Sequence, residues 1–375
     1  MFLVFERLVY KEPWPKLDFF GRLFFVFIVF ALFSSLWSIS IFDSLKTGFI
    51  IGLTLAGGYL IIKISGELTA PNIQFCTNAF IIGGIIGLIL LSIEAFSGEF
   101  LSRQIYTTLD KKLPTGDTYP IIKPGLTVMA LYIWPWFALV SKRYSVKLGL
   151  AGIVFAGTIL LFGCAHTALL AFTIGALFFS AAYMAKRHFS YILTVFVIAA
   201  ALFIPIVPDL LPDPTISGKS ISFLPNSAIH RIKIWQTTTH HIVENPILGI
   251  GFDTSQSLYP RETNERVVFL PDIPEKSWYI WTEPIPLHPH NFLLQIWLEL
   301  GLIGASLAAI LICFIIRAIS KIGPRQFDSA VGYGALGGAL LVASVSFGAW
   351  QSWWVCTLLI IASITAVSLS KKCLR

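Results

Sequence analysis

The stretch Leu287-His288-Pro289-His290-Asn291-Phe292-Leu293-Leu294-Gln295-Ile296-Trp297-Leu298-Glu299-Leu300-Gly301 joins a polar, histidine-rich segment directly to a long apolar helix. Upstream of it, residues 208–287 are mostly polar and contain many prolines, whereas the chain on both sides is almost continuously hydrophobic. Only this long segment can be surrounded by water. We therefore expect any chemistry to occur where it meets the apolar helix.

The composition is that of a membrane protein. Of 375 residues, 56% are hydrophobic and 13% are charged, and the mean hydropathy is +0.78. A soluble domain of this length cannot bury so much apolar surface. Apolar runs close to the ~20 residues that span a bilayer begin near residues 22, 47, 77, 120, 147, 166, 189, 291, 329 and 351. The sequence predicts an all-α polytopic protein with about ten transmembrane helices and one large outer loop that contains short helices.

The loop divides the chain into three predicted parts. Residues 1–207 form an N-terminal bundle of about seven spans, residues 208–290 form the loop, and residues 291–375 supply about three more spans. Short cytoplasmic loops collect Lys and Arg, and most of these residues fall in the loops on the side of the termini. This places both termini in the cytoplasm, and it accounts for the net charge of +7 without nucleic acid.

One outer loop is an exception to this charge pattern. Residues 96–120 and their flank carry Arg103, Lys111, Lys112 and Lys123. Two interpretations remain open: these cations are simply solvated, or they attract an anionic lipid head group.

Cysteine and histidine usage bears on metal binding. The five cysteines are scattered and none lies in the long loop, so no disulfide framework or thiolate metal site is implied. Most of the seven histidines lie in or near the loop, at positions 166, 230, 240, 241, 288 and 290. They lack the spacing of a metal-binding motif. A general base, which an imidazole can supply near neutral pH, fits better; the alternative is hydrogen bonding at the membrane interface.

Residues 227–245 have a helical pattern that ends before Pro246. Helical spacing puts Arg231 and Trp235 on one stripe. A guanidinium fits two phosphate oxygens at once, although a surface ion pair with Glu244 is equally compatible. Gly249 and Gly251 follow, and they predict a tight turn first and a phosphate-binding loop only second.

The apolar helix carries Asn291, Gln295 and Glu299 at intervals of four. Glu299 lies roughly 13 Å deeper than His290 at the usual helical rise. A carboxyl group at that depth is costly and is therefore a functional candidate. The interpretation that we favour is a buried interhelical hydrogen bond that positions the outer end of the helix.

Three motifs occur in one order: Arg231-x-x-x-Trp235, Asn245-Pro246-x-Leu248-Gly249-x-Gly251, and His288-Pro-His290-Asn291-x-x-Leu294-Gln295-x-Trp297-x-Glu299-x-Gly301-Leu-x-Gly304. With Leu36-Trp37-Ser38 near an early span, they resemble the bacterial O-antigen ligase and O-antigen polymerase superfamily, the lipopolysaccharide O-antigen ligase branch most closely. The matching block runs from about Ser227 to Gly304.

The resemblance implies a glycosyltransferase. Members move a finished glycan from undecaprenyl pyrophosphate to an acceptor hydroxyl at the periplasmic face of the inner membrane, and the ligase branch uses lipid A-core as acceptor. The expected enzyme is metal-independent, needs no cofactor and has its large loop in the periplasm. Its expected partners are the undecaprenyl-pyrophosphate-linked glycan, lipid A-core and membrane lipids.

Position in the motifs implies residue roles. His290 resembles the family's essential histidine and Arg231 its loop arginine, so both are predicted to be catalytic. A base strips the incoming hydroxyl, and a cation steadies the charge that grows on the leaving group. The predicted substrate-binding residues are His288, Asn291, Gln295, Trp235, His166 and Arg103. The predicted structural residues are Gly249, Gly251 and Glu299.

One position departs from the family pattern. His166 stands where many members have an arginine, so the pyrophosphate would lack one positive charge. Either His166 is protonated beside the lipid phosphate, or Arg103, Lys111, Lys112 or Lys123 substitutes.

Alternative functions are a polysaccharide polymerase or a protein O-oligosaccharyltransferase of the same superfamily. A lipid-linked glycan transporter is a weaker alternative, because it would have charged residues along several spans and the acids at membrane depth are few here. A membrane scaffold is weaker too, because it explains neither the histidines nor the helix with Arg231 and Trp235.

Overall fold

The computed structural model describes residues 14–111, 121–185, 187–214, 223–259, 265–269, 278–282, 284–322 and 325–369. Its helices, numbered in chain order, are α1 (Phe19–Phe33), α2 (Ile41–Glu67), α3 (Ala70–Phe96), α4 (Phe100–Thr108), α5 (Lys123–Arg143), α6 (Val146–Phe162), α7 (His166–Ala185), α8 (Arg187–Phe203), α9 (Asn226–Glu244), α10 (Phe292–Lys321), α11 (Gln326–Val345) and α12 (Ser352–Ser368).

These helices confirm the predicted all-α membrane fold. Seven helical segments in the described part of the chain are long and apolar enough to cross a bilayer, and α6, α8 and α12 are shorter apolar helices. Large apolar side chains such as Phe42 and Phe75 are exposed on the outside of the bundle. So much exposed apolar surface is expected where lipid, rather than water, surrounds a protein. The number of spans, near ten, stays a prediction.

The long loop contains one element that the sequence did not predict. Strands β1 (Glu265–Phe269) and β2 (Trp278–Thr282) pair antiparallel, with Val267 opposite Ile280. Their alternating aromatic and β-branched residues suit a strand, but the interpretation of this loop as irregular with short helices overlooked them. Helix α9 ends before Pro246 as predicted, and begins at Asn226 after a Pro225 cap.

The central helix of the bundle is α5. Leu126, Leu131 and Leu139 on it are fully buried, and the Trp134 ring stacks on Phe179 of α7 with the centroids 5.6 Å apart. At the end of α5, Lys142 forms a buried ion pair with Asp328 of α11 at 2.8 Å. Its ammonium group also donates to the Ser368 carbonyl of α12. The C-terminal helices thus pack into the bundle formed by the N-terminal ones.

Helix α10 is broken at Gly301. This residue has φ +60° and ψ −160°, a conformation essentially restricted to glycine. A break inside a helix leaves carbonyl groups before it and N–H groups after it without their helical partners. Such groups are costly in a membrane, where no water can satisfy them.

The segment Pro246–Gly251 provides the missing partners. The N–H groups of Ile250 and Gly251 donate to the carbonyls of Leu298 and Glu299, at 3.0 and 2.9 Å. The N–H groups of Leu302 and Ile303 donate to the carbonyls of Pro246 and Ile247. The loop after α9 is therefore inserted into the broken helix and fixes α9 relative to α10.

This close backbone contact requires glycine. A Cβ on Gly301 would lie 2.3 Å from the Ile247 carbonyl oxygen, and a Cβ on Gly249 would lie 2.4 Å from the Glu299 carbonyl carbon. Gly251, at φ +102°, likewise packs against Ser38 of the early Leu36-Trp37-Ser38 motif. Both loop glycines are thus used for the turn and close contact.

We predict that Gly301→Ala destabilises the protein strongly. The glycine-only backbone conformation alone costs roughly 1–3 kcal/mol, and for a chain of this length that cost lowers the apparent Tm in detergent by about 1–4 °C. Gly57→Ala is the matched control, because a Cβ there meets nothing within 4 Å. Thermal unfolding of both variants tests this, and an equal Tm for the two would contradict the account of the helix break.

Candidate active site

His290 lies at the start of α10 in a left-handed backbone conformation, with φ +56°. Such a conformation is uncommon for residues other than glycine and often marks a functional site. Its Nδ1 is 2.6 Å from the Ser346 carbonyl oxygen, which lies just after α11. Because a carbonyl can only accept, Nδ1 carries the proton and Nε2 of the neutral ring keeps its lone pair. The ring is thereby arranged as a base at Nε2.

His288 contacts both the ring and the backbone of His290. It is buried, and its Nδ1 accepts the backbone N–H of His290 at 3.2 Å. The two imidazole rings meet edge to face with their centroids 4.4 Å apart. The side-chain amide of Gln351 lies 3.3 Å from His288 Nε2. His288 therefore positions His290 through protein contacts rather than facing open space.

Helix α9 reaches the same place through Trp235. The indole N–H of Trp235 donates to the Pro289 carbonyl at 2.9 Å, so it holds the residue that precedes His290. Arg231 lies one turn earlier on α9, and its Nη1 donates to the Ser227 carbonyl at 3.0 Å. The stripe predicted from the sequence thus brings Arg231 to the histidine pair, across 59 chain positions that separate it from His290.

The electrostatics of the site follow from this arrangement. Burial lowers the pKa of His290 from 6.5 to about 4, against the raising effect of its hydrogen bond to Ser346. The value of about 4 already includes the lowering effect of the charges on Arg231, His230 and Lys123. Burial likewise lowers the pKa of His288 to about 4, together with the charges of His290 and Arg231. Both imidazoles are therefore neutral near pH 7.

Lys123 is the basic residue that the structure adds to the site. It begins α5, and its charge acts on His290 and interacts with Arg231. Arg103, Lys111, Lys112 and Lys123 were the candidates to replace the family arginine, and Lys123 is the one whose charge acts on His290. Lys112 lies outside the described residues. A cluster of cations beside a neutral base is suited to bind an anion.

The contacts of Arg103 are with residues on and just before α4. It sits on α4, where its Nε donates to the Gly98 carbonyl and its Nη2 is 3.5 Å from the Glu99 carboxylate in an exposed pair. His166 begins α7 and is exposed. Among the contacts and charge interactions of the described residues, none joins Arg103 or His166 to His290. The expectation that these two bind substrate therefore has no structural support.

Asn291 and Gln295 both make hydrogen bonds within the protein. Asn291 is buried and caps α10, because its side-chain oxygen accepts the N–H groups of Leu293 and Leu294. Gln295 is buried too: its amide donates to Glu299 and its oxygen accepts the Ala349 N–H. The polar groups of both side chains make contacts within the protein, and substrate binding by these two residues stays a prediction.

Glu299 is fully buried and performs the hydrogen-bonding role favoured from the sequence. Its carboxylate accepts the indole N–H of Trp350, the backbone N–H of Asp253 at 2.8 Å and the hydroxyl of Ser255 at 2.8 Å. Together with Gln295, these donors satisfy a carboxyl group that would otherwise be very costly at this depth. Glu299 thus ties the segment after α9 and the segment after α11 to α10.

Sequence reasoning missed Ser346 and Gln351. They stand at the two ends of the short connection between α11 and α12, residues 346–351, whose neighbouring apolar stretches were interpreted only as spans. Within the described ranges, no group of three His, Cys, Asp or Glu side chains is arranged to hold a metal ion. Independence from metal nevertheless stays a prediction.

Comparison with known proteins is consistent with this geometry. A sequence model described as O-antigen ligase matches residues 151–309, which include α9 and the break in α10. A Rickettsia prowazekii protein named "putative polysaccharide ligase" is 28% identical over 293 residues, 78% of this chain and 67% of its own length. Proteins of the same name from Rickettsia typhi and Rickettsia bellii are 28% and 27% identical, each covering 88% of this chain and 76% of the relative.

The match over residues 151–309 and the polysaccharide-ligase relatives support the O-antigen ligase and polymerase superfamily for this chain. Together with the apolar helices, these similarities support a multi-pass membrane protein with a function of the O-antigen ligase type, that of a glycosyl-transferring enzyme. Glycan and lipid substrates are the class that the family suggests. The donor, the acceptor and the residue roles are not carried over by these similarities.

We predict that the His290 side chain remains neutral down to about pH 4. In protein labelled with 15N at histidine, the His290 resonances should indicate protonation at Nδ1 only, and should titrate well below the ordinary pKa of 6.5. Arg231→Gln should raise the pKa, because one nearby positive charge is removed. Arg103→Gln is the control, because Arg103 is not among the charges that lower the pKa of His290. A His290 pKa near 6.5, or equal effects of the two variants, would contradict this electrostatic arrangement.

Proposed function

We propose that the protein transfers a glycan en bloc from undecaprenyl pyrophosphate to a hydroxyl of lipid A-core at the periplasmic face of the inner membrane. The observation that carries the proposal is the neutral His290, held at Nδ1 by Ser346 and surrounded by the charges of Arg231 and Lys123. Family membership supports the reaction type. In this proposal both termini are cytoplasmic, and residues 208–290 lie in the periplasm.

His290 acts as the general base in this reaction. Its Nε2 takes the proton of the acceptor hydroxyl while that oxygen forms a bond to the anomeric carbon of the donor sugar. The bond between the anomeric carbon and the pyrophosphate oxygen breaks, and undecaprenyl pyrophosphate leaves with the electron pair. A base whose ring is fixed in one tautomer contributes about 10²–10⁴-fold to such a proton transfer.

Arg231 and Lys123 stabilise the leaving group. Negative charge grows on the pyrophosphate as the glycosidic bond breaks, and preorganised cations lower the energy of that state without a metal ion. The guanidinium can contact two phosphate oxygens at once, whereas the lysine supplies a point charge. Trp235 contributes by holding Pro289, and thus His290, beside Arg231.

The acceptor is what distinguishes the proposed ligase activity from the other activities of the superfamily. A polymerase or a protein O-oligosaccharyltransferase would use the same donor chemistry at His290 and Arg231, with a growing glycan or a protein hydroxyl as acceptor. The assay therefore needs all three acceptors in parallel. Product on lipid A-core alone supports the ligase, whereas ladders of glycan on glycan would replace it with the polymerase.

We predict that His290→Asn abolishes transfer by purified protein supplied with undecaprenyl pyrophosphate glycan and lipid A-core. Asparagine tolerates the left-handed backbone at this position but cannot act as the base, so kcat/KM should fall about 100-fold or more. Arg231→Ala should lower kcat/KM by a similar factor.

His240→Ala is the histidine control from the same loop, because its ring is 75% exposed and its nearest acid is Asp209 at 3.8 Å. This variant should keep activity within about twofold, as expected for an exposed substitution. Thermal unfolding verifies that all three variants are folded. Full turnover by His290→Asn or by Arg231→Ala would refute the assignment of the site.

We predict that Lys123→Ala reduces transfer more than Arg103→Ala does. Losing a charge-assisted contact to pyrophosphate should lower kcat/KM about tenfold or more, whereas Arg103 pairs with Glu99 away from the histidines. Lys123→Arg, which keeps the charge, should restore most of the activity. The reverse order of the two alanine variants would show that α4, rather than the start of α5, supplies the additional cation.

A further inference from the structure

A second polar cluster lies at the opposite end of α10 from His290. Arg317 and Lys321 are on the last turns of α10, Arg187 begins α8, and Arg325 precedes α11. All four side chains are exposed and line one cavity of about 1140 Å³. The proposed transfer reaction makes no use of this cavity.

In the part of the chain that the structure describes, no carboxylate forms an ion pair with any of these four cations. The nearest acid in the sequence, Asp328, is occupied by Lys142 at 2.8 Å. The preference of cytoplasmic loops for Lys and Arg accounts for basic residues at this end of the bundle. It does not account for the convergence of four such residues from three elements on one cavity.

The rest of the cavity is a groove along α8 and α10. The groove exists because the side chains that face it on both helices are small: Ala201, Ala305, Ser306 and Ala309. Its wall is made apolar by Ile198 and Ile310. A hydrogen bond from the Trp297 indole to the Ala201 carbonyl joins the two helices at the upper end. From Ala305 to Lys321 the groove is roughly 24 Å long at the helical rise of 1.5 Å per residue.

These dimensions match an amphiphile in the membrane. One leaflet of a bilayer contributes about 15 Å of hydrocarbon, so the groove accommodates a chain that extends from the surface to the midplane. The polar groups Ser320, Gln326 and Ser329 lie at the basic end and can donate to phosphate oxygens. Charge and polarity therefore change along the cavity in the direction that they change along a phospholipid.

We propose that this cavity binds an anionic diacyl phospholipid, with its phosphate among Arg187, Arg317, Lys321 and Arg325 and an acyl chain in the groove between α8 and α10. The proposal does not depend on the transfer reaction. A lipid donor whose pyrophosphate lies beside His290 has its head group at the other end of α10, so it cannot place that same phosphate here.

Native mass spectrometry of the full-length protein tests the proposal. Detergent-purified, delipidated protein is titrated with phosphatidylglycerol or with phosphatidylcholine, which has the same acyl chains but no net charge. We expect the protein to retain phosphatidylglycerol with an affinity at least about tenfold higher than its affinity for phosphatidylcholine. Equal retention of the two lipids would overturn the proposal.

Two variants separate a built site from general surface charge. Arg317→Gln with Lys321→Gln should weaken phosphatidylglycerol binding about 20-fold, because each cation near an anionic head group contributes about fivefold. Arg143→Gln with Lys147→Gln is the matched control. These exposed residues also lie at the Lys142 end of the bundle, but they do not line the cavity. Equal losses in the two double variants would overturn the proposal.

A third variant tests the groove without changing charge. Ser306 is exposed to the cavity, so Ser306→Phe should block the acyl chain and lower phosphatidylglycerol retention while the protein keeps its Tm. Lipids extracted from the protein as purified identify the natural occupant. A polyprenyl phosphate there in place of a diacyl phospholipid would also overturn the proposal.

Discussion

The break in α10 at Gly301, bridged by the backbone of Pro246–Gly251, is the constraint on which the arrangement of the site depends. Neither partner is stable alone in a membrane, because each exposes backbone groups that only the other satisfies. Insertion of the loop fixes the end of α9 against α10. Since Arg231 is on α9 and His290 begins α10, this backbone pairing determines that the guanidinium and the imidazole share one site.

Much of this fold could be predicted from hydropathy. The apolar runs gave the start of each apolar helix to within about seven residues, because a span must satisfy its backbone internally and be apolar along its length. The two-stranded ladder was missed because its residues lie in a loop rich in proline. The break in α10 was also missed: Gly301 looks like an ordinary small residue in an apolar helix until the segment that inserts beside it is known.

The sequence pointed to residues that the structure brings together, but not to the contacts that each of them makes. Motif positions pointed to His290, Arg231 and Trp235, which the structure brings together, and also to Arg103 and His166, which lie apart. Asn291 and Gln295 were assigned to substrate because polar residues on an apolar helix attract functional interpretations. Their partners are backbone groups of Leu293, Leu294 and Ala349, and contacts of this kind cannot be derived from spacing within one helix.

The buried acid explains why such structural polar residues are needed beside the base. Glu299 holds Trp350 and, through Gln295, the N–H of Ala349, so it fixes the segment that follows α11. The Ser346 carbonyl that orients His290 belongs to the start of that segment. Replacing the network by apolar residues would leave the backbone at Ala349 and Asp253 without partners, which costs more than burying one satisfied carboxylate. The tautomer of His290 therefore depends on a hydrogen-bond chain that begins two helical turns below it.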